Sequence, residues 1–407
     1  MPHVLLVEPH LLDQRPFLRG LVRLGVRVTG IGSLPGAQLD GELRHLLAAY
    51  EHVSSPRDVE ALTAAVRRVQ ERGPWVDRLE TTLERLLLPT ALAREATSIP
   101  GESSAAVLAT HDRWACRQKL RAAGVYTLPD AEVTTAEAAL AFAERVGYPV
   151  MLKPKVSAGL LVDLHRLDDA ESLVAAVSRV SDPRHYLLEP FVQGHEGFFD
   201  SLVVDGEVVF EAATHFYPGV RAALTDASIN PIVVHTNRLH EDGYAELRAS
   251  NRAAVKALGV TTSALHLAWF SGPAGKWVTE VGLHPPPCEL WDLFGEGADF
   301  DLYTTWASAV SQGKLPARPH TTHAAGLVNI RPDRGGVIVG YDGVEPMQRE
   351  YGGLIVRMHL PPPGTPVMPI GGGYLANAHV WVKHRDYDQL RAILTDIGQR
   401  VRVYASG

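Results

Sequence analysis

Gly147-Tyr-Pro-Val-Met-Leu-Lys-Pro154 ends one helix, turns, and enters a strand that carries a single lysine to its far end. Upstream, Thr134-Thr-Ala-Glu137 is a capping box that opens a helix over Ala136 to Val146, and Gly147 followed by Pro149 closes it. Val150-Met-Leu is apolar up to Lys153, and Pro154 pushes the lysine backbone into the extended region. A lysine at a strand end, followed by the small-residue loop Lys155-Val-Ser-Ala-Gly159, is a workable phosphate hook. The strand fixes the ammonium while loop amides, that of Ser157 included, wrap an anion. Taken alone, the same residues also fit a surface lysine at a strand end.

On the amino-terminal side, Thr110 to Gly124 reads as one helix with Thr110 as N-cap and Gly124 as C-cap. On the carboxy-terminal side, Asp168 and Asp169 cap a helix running to about Val180, and Tyr186-Leu-Leu-Glu189 is the next strand. It leads into Glu189-Pro-Phe-Val-Gln-Gly-His-Glu196, a bend that offers backbone at Phe191 and Val192 in an apolar setting, flanked by two acids. Phe199 to Val204 and Glu207 to Ala212 form a hairpin across Asp205-Gly206. A helix over Ala245 to Leu258 precedes two strands, Ser263 to Phe270 and Lys276 to Val281. The proline-rich stretch from Leu315 reads as a linker to a small β-rich region that ends in a helix over Asp386 to Arg400.

The order of these segments resembles the ATP-grasp superfamily, whose pattern runs from an Asp-Lys helix through a Gly-Tyr-Pro-Val-x-x-Lys-Pro strand and a Glu-x-Phe-Val-x-Gly-x-Glu hinge to paired metal-binding strands. Asp112-Arg113, Gly147 to Pro154 and Glu189 to Glu196 supply the first three in order, over roughly Thr110 to Gln312. The resemblance implies an α/β (α+β ATP-grasp) fold in three parts. A Rossmann-like pre-ATP-grasp domain would take residues 1–109, and an ATP-grasp domain 110–315, with its lid at about 124–192. A small β-rich carboxy-terminal domain would take 316–407. It also implies that Lys153 contacts the α- and β-phosphates of ATP, that Glu189 and the backbone near Phe191 and Val192 face adenine, and that Glu196 holds the ribose hydroxyls. Arg113 stands where the family usually has a lysine, and keeps the charge in a forked geometry.

The metal half departs from the pattern. Triphosphate chemistry needs carboxylate oxygens around Mg2+. In Leu265-His-Leu-Ala-Trp269 and Thr279-Glu-Val-Gly-Leu-His284, Ala268 replaces one glutamate, Gly282 an asparagine and His284 an arginine, which leaves Glu280. Glu289, Asp292 and Glu296 are acids near enough in sequence to compensate. The tail, with Gly343-Val-Glu-Pro346 and Ala376-Asn-Ala-His-Val-Trp381, resembles the amino-acid ligase branch. That implies an ATP-dependent carboxylate–amine ligase working through an acyl phosphate, with an amino acid or small amine as acceptor. A homodimer is expected on the same basis. Arg221, Arg331 and His284 are the candidate groups for the acyl phosphate. A degenerate member that binds a ligand without turnover is the competing reading.

Composition agrees with a small-molecule enzyme. At 407 residues, two or three domains are expected, and 46% hydrophobic with 21% charged residues is an ordinary globular balance. A net charge of -7 gives no reason to expect nucleic acid or a membrane as partner. Cys116 and Cys288 have no metal-ligand spacing, the amino terminus has no basic leader, and a cytoplasmic protein is expected. A nicotinamide site in the first domain is disfavoured, because Glu8-Pro-His-Leu-Leu-Asp13 has no Gly-x-Gly.

Overall fold

The computed structural model describes every residue except 157–162, 274, 287–288, 299, 316–319 and 371–377. Ser157 and the proline-rich stretch after Leu315 therefore lie outside the described residues.

The chain opens with a parallel sheet in the order Ala49–His52, Arg27–Gly32, His3–Val7, Arg78–Glu80. All five residues of His3–Val7 are buried, as expected of a parallel strand covered on both faces by helices. A four-stranded antiparallel sheet follows, in the order Ala131–Glu132, Tyr186–Pro190, Val150–Pro154, His165–Leu167. The helices Ala136–Val146 and Ala170–Arg179 pack on it through Phe142, Leu152, Leu173 and Leu188. The two sequence motifs meet here, because Val150–Pro154 pairs with Tyr186–Pro190 and sets Lys153 opposite Leu187.

The third sheet has eight antiparallel strands in the order Gly275–Gly282, Ser263–Gly272, His195–Val204, Glu207–Tyr217, Ile232–His235, Ala324–Ile330, Ala378–His384, Ile355–His359. It runs without a break past residue 316, since Ile232–His235 pairs with Ala324–Ile330. The expected hairpin is present, and Asp205 and Gly206, at φ 51° and 81°, give the left-handed pair that a primed turn requires.

The first sheet docks on the third through aromatic packing. The Phe17 ring lies 5.2, 5.0 and 4.9 Å from those of Trp291, Tyr303 and Trp306. Burying a side chain of this size is worth about 1.5–3 kcal/mol. The helices Arg15–Arg23 and Leu302–Gln312 can approach because Gly20 has no Cβ, and one would fall 2.6 Å from the Tyr303 carbonyl oxygen.

Two local expectations are corrected. Thr110 to Gly124 is two helices, Ser104–His111 and Arg113–Ala122, because the Asp112 carboxylate accepts the Ala115 N–H and restarts the helix. Thr110 instead bonds back to the Val107 carbonyl. The cap of Ala136–Val146 is Thr135, one residue later than expected, with its hydroxyl on the Ala138 N–H.

Candidate functional site

Three elements converge on Lys153: its own sheet, the helix Arg113–Ala122, and the strand Gly275–Gly282. Arg113 and Arg117 stand one helical turn apart on the same face and both point into this junction. Lys153 Nζ lies 2.6 Å from Glu189 Oε1, and Arg117 pairs with Glu189 Oε2, also at 2.6 Å. Arg117 further reaches Asp130 at 3.2 Å, donates two bonds to the Thr279 carbonyl, and is 1% exposed. Arg121 completes the row on Asp130 at 2.6 Å. Burial alone would raise the Glu189 pKa, but Arg117 and Lys153 outweigh it and hold the group at about 2. Both Glu189 oxygens thus face cations, which differs from the expected role of presenting the carboxylate to a base.

The other arm runs through Glu280. Arg113 Nε donates to Glu280 Oε1 at 3.0 Å, Arg113 NH1 donates to the Pro154 carbonyl at 2.8 Å, and Lys153 Nζ stands 3.9 Å from the same Glu280 oxygen. Burial raises the Glu280 pKa, but Arg113, Lys153 and Arg117 together bring it below the ordinary value.

At the hinge, Phe191 donates its N–H to the Pro149 carbonyl, and the backbone through Val192 is half-buried. Glu196 accepts the Val220 N–H. Burial drives its pKa up to about 7 against the weaker pull of that bond and of Lys153. Gly219 makes room for it, since a Cβ there would sit 2.2 Å from Glu196 Oε1. The Arg221 guanidinium lies over the Phe191 ring at 5.9 Å, on the hinge side of the cleft. Arg331 bonds the Asp226 carbonyl.

A cavity of about 920 Å³ adjoins the cluster and shares Arg113, Arg117 and Glu280 with it. Its far wall comes from the first sheet: Leu12 and Asp13 follow the strand His3–Val7, and Thr82 and Glu84 follow Arg78–Glu80. These are the two strands at which the connection reverses direction, the place where open α/β sheets receive ligands. His284 lines the cavity, with Nδ1 2.8 Å from the Pro285 carbonyl and its ring 5.5 Å from that of His266. Burial and the neighbouring His266 lower its pKa, so it is neutral near pH 7. His266 is itself held by Asp200 at 2.6 Å.

The donor set does not fit a pair of magnesium ions. Ala268 is directly opposite Glu280 in the strand register, so the position from which a second carboxylate would share an ion holds a methyl group. The space above Gly282 is filled by His284, whose Nε2 would lie 2.4 Å from a Cβ at 282. Of the acids expected to compensate, Glu289 and Asp292 line the same cavity as Glu280 but face Arg357 at 2.7 and 3.8 Å, and Glu296 faces Lys383 at 3.7 Å. Among the described residues no three His, Cys, Asp or Glu side chains are grouped to hold a metal.

Residues 112–181, which carry Arg113, Arg117 and Lys153, match the family model described as the carbamoyl-phosphate synthase L chain, ATP binding domain. The chain resembles the L-amino acid ligase of Bacillus licheniformis, whose crystal structure superposes with a TM-score of 0.76 over 100% of this chain and 99% of that one at 19% identity. The chain has the ATP-grasp fold. It is 22% identical over 237 residues to the L-arginine-specific L-amino acid ligase of Bacillus subtilis, covering 56% of each chain. It is also 27% identical over 182 residues to the carbamoyl phosphate synthase large chain of Streptomyces avermitilis, covering 42% of this chain and 16% of that one. The match thus spans about half the length of the first relative and a smaller part of the second. The four-stranded sheet carries Lys153, and the eight-stranded body sheet carries Glu280. Sequence reading missed Arg117, Asp130 and Arg121. The signal for the arginines is the successive spacing of four from Arg113 to Arg117 to Arg121, which puts all three on one face of a helix. No helix among the described residues is long and apolar enough to cross a membrane.

Proposed function

We propose that this protein is an ATP-dependent carboxylate–amine ligase, joining a small carboxylate to an amino acid or small amine through an acyl phosphate. The observation that carries the reading is the sharing of Arg113, Arg117 and Glu280 between the Lys153 cluster and the 920 Å³ cavity, which sets a phosphate hook beside room for two small substrates. Lys153 meets the α- and β-phosphates, the Phe191–Val192 backbone faces adenine, and Glu196 takes the ribose hydroxyls. A substrate carboxylate oxygen attacks the γ-phosphorus and ADP leaves. The amine nitrogen then attacks the acyl carbon, phosphate departs, and the nitrogen gives up its proton. Arg113 is placed to stabilise the transferring phosphoryl oxygens, since guanidinium matches that geometry in a fork. Arg117 acts behind it, holding Glu189 and thereby Lys153. Because the donor set does not fit paired magnesium ions, no step is assigned to them.

A second reading, nucleotide binding without ligation, is favoured by one observation: Glu280 is already engaged by Arg113 while Ala268 supplies no oxygen. Phosphate release separates the two. Purified protein with ATP and pairs drawn from a panel of amino acids is expected to release phosphate only with a matched pair, and Lys153→Ala is expected to abolish release. Nucleotide binding with no release across the panel favours the second reading. Absence of any adenine-nucleotide binding removes both.

A further inference from the structure

The nucleotide reading above requires that phosphate charge be met beside Lys153, and the residues there say what meets it. Glu280 is the carboxylate that the body sheet presents to Lys153, and the Arg113 guanidinium is seated on it at 3.0 Å. Arg113 is fixed from behind as well. Its NH1 donates to the Pro154 carbonyl, its backbone N–H donates to the Lys155 carbonyl at 2.8 Å, and its side chain is 10% exposed. A guanidinium stays charged throughout the working pH range. A divalent ion at Glu280 therefore meets a like charge, and it finds neither of the oxygens that would complete its shell. Ala268 stands opposite Glu280, and the His284 ring covers Gly282.

We propose that Arg113 is the resident cation of this cleft, and that with Lys153 it binds the nucleotide phosphates directly, so that nucleotide affinity does not depend on magnesium. The bonds to Glu280 and Pro154 use two of the five N–H donors of the guanidinium. Arg113 lines the cavity, and the donors left over are available to phosphate oxygens there. Glu280 then serves to orient Arg113 and holds no ion. The inference rests on the nucleotide reading, and the test keeps the two apart.

The full chain is titrated with ADP and with a non-hydrolysable ATP analogue by calorimetry, once in magnesium and once in excess EDTA. The two dissociation constants are expected to agree within about threefold, under half of a tenfold step on the free-energy scale. Tightening of tenfold or more by magnesium overturns the proposal and leaves the nucleotide reading standing, whereas no binding in either buffer overturns both. Arg113→Ala is expected to weaken binding in EDTA by tenfold or more. Unchanged affinity in that variant overturns the proposal. Glu280→Gln guards against misfolding of Arg113→Ala. It is expected to bind with the same ratio of affinities in the two buffers as the parent, and a magnesium response that is present in the parent and lost in Glu280→Gln overturns the proposal.

Discussion

Replacing Arg117 with methionine tests the electrostatic frame of the cleft most directly. The substitution keeps a long apolar side chain in a site that is 1% exposed but removes the cation between Asp130 and Glu189, together with both bonds to the Thr279 carbonyl. Breaking a buried ion pair from one side costs about 3–5 kcal/mol. The lower end applies, because Glu189 keeps Lys153 at 2.6 Å and Asp130 keeps Arg121 at 2.6 Å. A loss of about 3 kcal/mol is therefore expected in urea unfolding at pH 7, read from the midpoint at unchanged slope. The sign of the pH dependence follows from Glu189. Its folded pKa, about 2, is below the ordinary 4.5, so its stabilisation is full above pH 4.5 and is lost as pH falls through 2. In Arg117→Met that window narrows towards 4.5, because one of the two opposing cations is gone. Adding Glu189→Gln to Arg117→Met is expected to recover part of the loss, since a neutral amide needs less compensation, with a coupling of at least ~1 kcal/mol. If the two substitutions add within about 0.5 kcal/mol, Arg117 and Glu189 are not the coupled pair argued here.

Three further outcomes are expected. Glu196 has a folded pKa of about 7 against an ordinary 4.5, so stability that is complete below pH 4.5 declines as pH rises to 7; Glu196→Gln flattens that decline in unfolding curves across pH, and an unchanged profile refutes it. Gly282→Ala drives a methyl group to 2.4 Å from His284 Nε2 and is expected to cost about 1–3 kcal/mol, with relief in the Gly282→Ala, His284→Ala double variant; an equal cost in both backgrounds dismisses the contact. Phe17→Ala removes the ring shared by Trp291, Tyr303 and Trp306 and is expected to cost about 3–5 kcal/mol; a smaller loss in thermal unfolding argues against that docking of the first sheet.

The sheet that carries Lys153 was legible because its elements are announced locally. Gly147 with Pro149 stops a helix, Pro154 holds Lys153 extended, and Asp169 caps Ala170–Arg179 with Ser172. The body sheet was legible strand by strand but not as a whole. Pairing of Ile232–His235 with Ala324–Ile330 joins segments far apart in sequence, and nothing in the period of either strand selects the partner. The cap of Arg113–Ala122 was misplaced for a smaller reason: Thr110 and Asp112 are both competent caps, and only the break in the helix at Asp112 decides between them.

Arg117 shows why the cleft was half readable. Arginines spaced by four on a helix ordinarily mark a solvated face, and the same spacing is buried here because the strand Tyr186–Pro190 brings Glu189, and the loop after Leu128 brings Asp130, against that face. The same geometry accounts for the residues that break the metal pattern. With Ala268 opposite it, Glu280 has among the described residues no grouped carboxylates with which to share an ion, and an acid between Arg113 and Lys153 is neutralised by them. Restoring the missing side chains one at a time therefore cannot rebuild a metal site. Ala268→Glu places a second carboxylate beside one already paired with Arg113, and Gly282→Asn meets the His284 ring before it meets an ion. The substitutions at 113, 268, 282 and 284 depend on one another, and only their joint reversal tests whether the cleft can return to a two-metal arrangement.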